Sequence, residues 1–329
     1  MPDIKILTEA ELRRVVALDA DAVECVENAF KLLATRDVVM PPILSFHVAE
    51  HNGEVDVKTA YVPGIESFAI KMSPGYFDNP KLGLPSVGGL MIVFAARTGM
   101  VDAIHLDNGY LTDIRTAAAG AVAAKWLSRP NSQIAGILGS GTQARLQLQA
   151  LTLVRDIKEA IIWGRDPDKA RQCADDSRQK LGIDVRTGTI DDVMAAADVI
   201  VTTTPSRIPL IRGSQLRPGQ HVTAIGSDAD YKTELAPDVI PAASRYICDS
   251  LAQCRRQGEL RPAIAAGTVA ANTDFAELGQ VIAGRETGRG SDNEITVCDL
   301  TGTGVQDTAI AAFAFERALR FGAGIMISS

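Results

Sequence analysis

The chain is poor in aromatic side chains, which make up only 5% of its 329 residues, and its five cysteines form no CxxC pair. Most of its 46% hydrophobic content is therefore small and aliphatic, which suits buried parallel strands and close helix–sheet packing. The cysteines at 25, 173, 248, 254 and 298 are odd in number and scattered. They indicate neither a zinc knuckle nor a disulfide framework, and reduced, mostly buried thiols are expected. There is no block of Lys and Arg, and the net charge is −7, which argues against nucleic acid as a partner. No apolar run reaches membrane length, since Lys125 cuts off the run at 117–124, and the N-terminus lacks a charged-then-apolar leader. A soluble, cytoplasmic protein of about two domains is expected. Of the histidines, His47 and His51 follow Pro41-Pro42 in an extended region, and His105 and His221 fall in strand-like runs. None has metal-ligand spacing, so no metal is assigned.

What is present falls into two rhythms. The first 40 residues read as two helices. Thr8-Glu9-Ala10-Glu11 fits a capping box, and Val23, Val26, Phe30 and Leu33 mark the apolar face of a helix at about 21–34. Antiparallel strands follow to about residue 106, including 68–72, 88–95 and 100–106, the last two joined by a turn at Arg97-Thr98-Gly99. A helix over about 109–127 then opens a different pattern. Strands at 133–138, 160–163, 198–202, 221–225, 245–248 and 295–298 alternate with helical segments, the rhythm of a parallel sheet with crossover helices. A last amphipathic helix follows Thr301-Gly302-Thr303-Gly304.

The strand at 133–138 runs into Gly139-Ser140-Gly141-Thr142-Gln143-Ala144, a GxGxxA sequence opening a helix. Gly139 permits a tight turn, Gly141 lets a pyrophosphate approach the backbone, and Ala144 keeps the helix close to the strand. The helix N-terminus offers N–H donors to the phosphates. The next strand ends Trp163-Gly164-Arg165-Asp166, with Gly164 where an acid would hold the ribose hydroxyls. A small residue followed by Arg accommodates a 2′-phosphate, which tilts the choice from NAD towards NADP. Alternatively Arg165 stacks on adenine or faces solvent, and Asp166 caps a helix opened by Pro167.

Three further positions carry chemistry. Asp228, just past the strand at 221–225, stands where ligands of open α/β sheets bind, with Gly226 allowing a nicotinamide ring to approach. It reads either as an acid/base group or as a loop carboxylate in an Asx-turn. Arg115, expected in the first turn of its helix, opposes the helix dipole. It reads either as the partner of a bound carboxylate or phosphate, or of Asp113. Lys71 interrupts an apolar strand, and Asp56 and Lys58 share a face of the neighbouring one. They line an inner polar pocket or a solvated face.

Several segments together resemble the ornithine cyclodeaminase/μ-crystallin family: 111–118 with its Arg-Thr-Ala-Ala, the turn at 139–144, 225–228 with Lys232-Thr233-Glu234-Leu235, and the Gly-Thr-Gly-Val-Gln-Asp at 302–307. The segments 41–43, 53–58 and 73–77 are most similar to the branch concerned with ectoine utilization. The resemblance implies an α/β fold in which a Rossmann-type doubly wound parallel sheet, residues 116–304, is inserted into a mixed α+β domain, residues 1–115 plus 305–329. That second domain would bind substrate and form a homodimer. The implied activity is NAD(P)(H)-dependent oxidoreduction at the α-carbon C–N bond of a small amino or imino acid, with a relative of 2,4-diaminobutyrate favoured. Ammonia-releasing cyclodeamination with a recycled cofactor, and non-catalytic binding of dinucleotide and small ligand, are the alternatives. By motif match, Asp228 is the acid/base group, and Lys71 acts with it. Lys71 and Arg115 hold the substrate carboxylate, Asp56 the distal amine, and Lys58 lies with them. Cofactor contacts fall to Arg115, Thr116, Gly139, Ser140, Gly141, Thr142, Gln143, Gly164, Arg165, Thr203, Thr204, Ile225, Gly226, Ser227 and Gly302. Two departures stand against ornithine itself. The cyclodeaminase has an arginine after the proline where this chain reads Pro41-Pro42-Ile43, and Asp56 is one methylene shorter than the family's glutamate.

Overall fold

The computed structural model describes residues 3–328. Its elements begin with β1 (Asp3–Thr8), α1 (Glu9–Val15), α2 (Ala20–Thr35), β2 (Leu44–Val48), β3 (Gly53–Ala60), β4 (Ser67–Tyr76), β5 (Leu90–Ala95), β6 (Val101–Leu106) and α3 (Tyr110–Leu127). They continue with β7 (Ile134–Leu138), α4 (Thr142–Thr152), β8 (Glu159–Trp163), α5 (Pro167–Leu181), β9 (Asp184–Thr187), α6 (Ile190–Ala196), β10 (Val199–Thr202) and β11 (His221–Ala224). Then come α7 (Val239–Ala242), β12 (Arg245–Cys248), α8 (Leu251–Cys254), α9 (Leu260–Ala265), α10 (Leu278–Ile282), β13 (Thr296–Asp299), α11 (Gly304–Phe321) and β14 (Ile325–Ser328). The chain divides into two compact units. One comprises the chain up to Ala17, Glu24–Arg115 and the chain from Thr303 onward; the other comprises Leu18–Val23 and Thr116–Gly302.

The first unit is built on a seven-stranded sheet of order β14-β1-β6-β5-β4-β3-β2. Its pairings are antiparallel except for the parallel β1–β6 pair. Helix α11 packs across β3, β4 and β5. The Thr308 hydroxyl donates to the Ala60 carbonyl at 2.9 Å, and a Cβ on Gly304 would sit 2.2 Å from the Thr59 carbonyl oxygen. Only glycine lets the helix start so close to the strand. At the start of α1, the Thr8 N–H and hydroxyl donate to Glu11 Oε2 at 2.9 and 2.8 Å, closing the capping box.

The second unit is an all-parallel sheet of order β12-β13-β11-β10-β7-β8-β9. Its core is aliphatic, with Leu138, Ile161, Val193, Ile200 and Val222 buried together. The strand order reverses direction at β7 and β10, which places the loops after these two strands at the topological switch point. Asp166 caps α5 by accepting from the Asp168 and Lys169 N–H groups at 3.0 and 3.2 Å. The cysteines carry no disulfide: Cys173, Cys248, Cys254 and Cys298 are buried and Cys25 is partly so. Among the described residues no helix is long and apolar enough to cross a membrane.

Several elements depart from the sequence reading. β1 stands where only helices are expected, and β9, α6 and β14 are additional. β9 buries only Val185 and β14 is exposed throughout, so neither shows the alternation that marks a half-buried strand. α6 nonetheless matters to the core. A Cβ on Gly136 of β7 would lie 2.4 Å from Val193 Cγ1 and 2.9 Å from Ala197 Cβ. Gly136→Ala is therefore expected to lower the unfolding free energy by about 1–3 kcal/mol through overpacking. Chemical denaturation measures this, and a variant as stable as the parent would contradict the seating of α6 on β7.

Candidate active site

Strand register builds the first cluster. Lys58, Lys71, Met91, His105 and Leu7 stand opposite one another in a single row across β3, β4, β5, β6 and β1, and all five are buried. Helix α11 lays Asp307 against this row. Its oxygens lie 3.0 and 2.9 Å from the Lys71 ammonium, and Oδ1 lies 2.9 Å from Arg115 Nε. That last contact is an ion pair off the hydrogen-bond line, so the buried Nε–H has no acceptor of its own. Burial pushes the Lys71 ammonium down to about 7; Asp307 opposes the fall, while Arg115 and Lys58 add to it. For Asp307 burial acts upward, but Arg115, Lys71 and Lys58 outweigh it and hold the carboxyl below its usual range. One further buried acid, Asp107, also faces Lys71; burial raises its carboxyl, and its Oδ2 caps the Leu111 N–H at 2.9 Å. Lys58, Lys71 and Arg115 thus all act on the Asp307 carboxylate and hold it ionised, a basic cluster of the kind that receives a ligand anion. His105 has no partner for either ring nitrogen, and burial lowers it to about 4, so it is neutral.

The structure thus collects Lys58, Lys71 and Arg115 in one place. Asp56 lies two residues before Lys58 on the same face, half-buried and opposite Ser73. One expectation needs correction. Helix α3 begins at Tyr110, so Arg115 lies beyond its first turn, and the helix-dipole argument for an anion there does not apply. The anion argument rests instead on the cluster. Asp307 is not among the expected residues, though a signal existed: it is an acid on the buried stripe of α11 shared with Gly304, Thr308, Ala311, Ala314 and Ala318. An acid in such a stripe calls for buried cations.

In the second unit Gly139 has φ +135° and no room for a side chain, since its Cβ would lie 2.2 Å from Thr203 Oγ1. Gly141 is the N-cap of α4, with no side-chain cap and open space where its Cβ would point. Arg145 takes up the Ser140 and Gly141 carbonyls at 2.8 and 3.3 Å and is itself held by Asp176. These two carbonyls are thereby engaged, while the N-cap position, being glycine, offers no side-chain cap to the start of α4. An unobstructed turn of this kind fits a pyrophosphate. Ser140 and Thr142 lie on this turn with Gln143 beside it, and Gln147 donates to the Thr116 carbonyl at 2.9 Å. Gly164 faces Ser140, because its Cβ would meet Ser140 Oγ at 2.9 Å. Arg165 is exposed, and Asp166 is spent on capping α5.

Ile225 and Ser227 are buried past the end of β11, whereas Asp228 is exposed. Its Oδ1 pairs with the Lys232 ammonium at 2.6 Å. Behind this loop lie four buried acids that sequence reasoning does not single out for roles. Glu234 accepts from Thr202, Thr204 and Gly226, and burial and Glu259 push it up to about 7. Glu259 accepts from the Glu234 and Leu235 N–H groups at 2.8 and 3.1 Å. Asp299, raised to about 8 chiefly by burial, accepts from the Tyr246 hydroxyl at 2.6 Å. Asp249 accepts from the Thr301 and Gly302 N–H groups, both at 2.8 Å. Among the described residues no group of acids, cysteines or histidines could hold a metal ion.

Parallel sheet, switch point and open glycine turn define a dinucleotide-binding α/β protein. The sequence matches the ornithine cyclodeaminase/mu-crystallin family over residues 3–321, and the chain belongs to that family. A Rhizobium meliloti (strain 1021) protein with a provisional dehydrogenase name is 58% identical over 332 residues, and the match covers 100% of both chains. The solved Delta(1)-pyrroline-2-carboxylate reductase of Thermococcus litoralis, in complex with NADH and L-proline, is similar at 30% identity and a TM-score of 0.93. That match covers 98% of this chain and 100% of that one. An archaeal alanine dehydrogenase dimer with bound NAD is similar at 34% identity and a TM-score of 0.93, covering 99% of each chain. The chain is an enzyme of the nicotinamide-dependent kind these relatives represent.

Asp307→Asn leaves buried cations without their counter-charge and is expected to cost about 3–5 kcal/mol of stability. The loss should be larger at pH 6 than at pH 9, because Lys71 is charged below about 7 and neutral above it. Equal losses at the two pH values, read by denaturant unfolding, would contradict the cluster.

Proposed function

We propose that the protein is an NAD(P)-dependent imino-acid reductase or amino-acid dehydrogenase acting at the α-carbon C–N bond of a small amino or imino acid. The observation that carries this reading is the buried trio Lys58, Lys71 and Arg115 around Asp307, a set that answers a carboxylate. Arg115 and Lys71 would fix that carboxylate, which orients the α-carbon and restricts its rotation. Asp56, half-buried on the face of Lys58, would receive a distal ammonium, which favours a diamino acid related to 2,4-diaminobutyrate and a place in ectoine catabolism. When bound, the nicotinamide supplies or accepts the hydride. Ser140, Gly141, Thr142 and Gln143 would carry its pyrophosphate. Asp228 would give or take the proton at the substrate nitrogen, and Lys232 keeps a cation against its Oδ1.

For the adenine end, the reading is NADP over NAD. Gly164 puts no acid at this position, the exposed Arg165 would meet a 2′-phosphate, and Asp166 is committed to its helix. A homodimer through the first unit is supported by β2, an edge strand exposing Leu44 and Phe46. A reducing, cytoplasmic compartment fits the five free thiols.

The test is a panel of diamino acids, and of keto acids with ammonia, offered with NADH and NADPH. Sustained change at the nicotinamide absorbance band supports the proposal. Ammonia release without that change supports cyclodeamination with recycled cofactor. Binding without either outcome supports a non-catalytic binder. Asp228→Asn should reduce turnover roughly 100-fold or more while leaving cofactor affinity unchanged, and full activity in this variant would refute the acid/base role.

A further inference from the structure

Glu234 is fully buried and reaches no solvent, yet four donors converge on its carboxylate. Oε2 accepts from the Thr202 hydroxyl at 2.6 Å and the Gly226 N–H at 2.8 Å. Oε1 accepts from the Thr204 N–H at 2.6 Å and the Thr204 hydroxyl at 2.7 Å. Thr204 lies two residues past the end of β10, and Gly226 two residues past the end of β11. One side chain therefore ties together two neighbouring loops at the carboxyl edge of the sheet. The second of these loops leads directly to Asp228. Packing tightens the arrangement further, since a Cβ on Gly226 would lie 2.1 Å from the Thr204 carbonyl oxygen and 2.6 Å from Glu234 Cδ. Glu259 holds the Glu234 N–H at 2.8 Å and so fixes the backbone of the residue itself.

The adjacent pyrophosphate turn is anchored differently. Thr203, which backs Gly139, donates through its N–H and its hydroxyl to the Leu138 carbonyl at 2.8 and 3.3 Å. Neither bond involves Glu234. The clamp should therefore act on one part of a bound dinucleotide and not on the other.

Building on the dinucleotide reading of this unit, we infer that Glu234 is a positioning residue for the nicotinamide end of the cofactor: it locks the Thr204 and Gly226 loops into one floor without touching the ligand. The chemistry explains why a carboxylate is needed. Two of the four donors are backbone N–H groups, one on each oxygen, and neither can turn into an acceptor. A glutamine amide would have to aim its NH2 at one of them, so a buried N–H would lose its partner whichever way the amide is set.

The experiment compares two ligands in the wild-type chain and in Glu234→Gln: NADH, and ADP-ribose, which has the adenosine and pyrophosphate but no nicotinamide. Titration calorimetry reads both dissociation constants. NADH binding in Glu234→Gln is expected to weaken roughly 10-fold or more. ADP-ribose binding should change several-fold less than NADH binding, because the bonds that hold its turn end on the Leu138 carbonyl and not on Glu234. Equal weakening of both ligands would mark a general structural role and overturn the inference, as would no change in either. A wild-type chain that binds neither ligand would overturn the dinucleotide reading and the inference with it. With NADH bound by the wild type, a failure in the variant comparison counts against Glu234 alone. If Glu234→Gln fails to fold, Thr202→Val carries the test. It removes one donor from Oε2 and leaves both backbone clamps, so the same preferential loss of NADH affinity is expected at smaller size, and its absence would count against the clamp.

Discussion

The structure turns on the mismatch of charge around Asp307. Burying Lys58, Lys71 and Arg115 together carries a desolvation cost, which for Lys71 the Asp307 carboxylate offsets only in part. The protein accepts this cost in a place where β-sheet register leaves no alternative: Lys58 faces Lys71 across β3 and β4, and α11 lowers Asp307 onto them. The consequences for the two partners agree. Asp307 is held ionised by its neighbours, while Lys71, for which burial outweighs Asp307, sits near neutrality. A second negative charge would complete such a site. An incoming carboxylate would do for Lys71 and Arg115 what Asp307 does only in part, and binding and proton uptake by Lys71 would then be one event.

The second unit uses buried acids in the opposite sense. Glu234, Glu259, Asp299 and Asp249 are not paired with buried cations but with backbone N–H groups and hydroxyls from the loops at the carboxyl edge of the sheet. Loops ordinarily move more than the strands they leave. Here the donors of four separate loop segments end on carboxylates, which fixes them at the cost of desolvating the acids. Burial accordingly raises Glu234 to about 7 and Asp299 to about 8. Asp228 differs from all four, being exposed and paired with the Lys232 ammonium.

How much of this is legible in the sequence follows from the range of the interactions. The glycine turn can be read because Gly139, Gly141 and Ala144 act on their immediate neighbours, and the parallel strands can be read because burial on both faces leaves continuous apolar runs. Lys71 stands out as a charge in an apolar strand. Its partner cannot be assigned, because Asp307 lies 236 positions away and only the packing of α11 on β4 brings them together. The same limit hides Glu234, whose donors at 202, 204 and 226 converge only when β10 and β11 pair. β1 and β14 escape the sequence reading for a related reason. They complete one another at the edge of the first sheet, and β14 buries none of its side chains.

The central claim, that Lys71 lies in a buried site with too little negative charge, is most directly tested by a side-chain NMR titration of the Lys71 ammonium in the ligand-free protein. The account predicts a midpoint of about 7. It further predicts that the midpoint falls lower still in Asp307→Asn, where the attraction that opposes burial is gone. A midpoint near the ordinary lysine value of 10.5, unmoved by that substitution, would mean that the amine is solvated and that no such site exists.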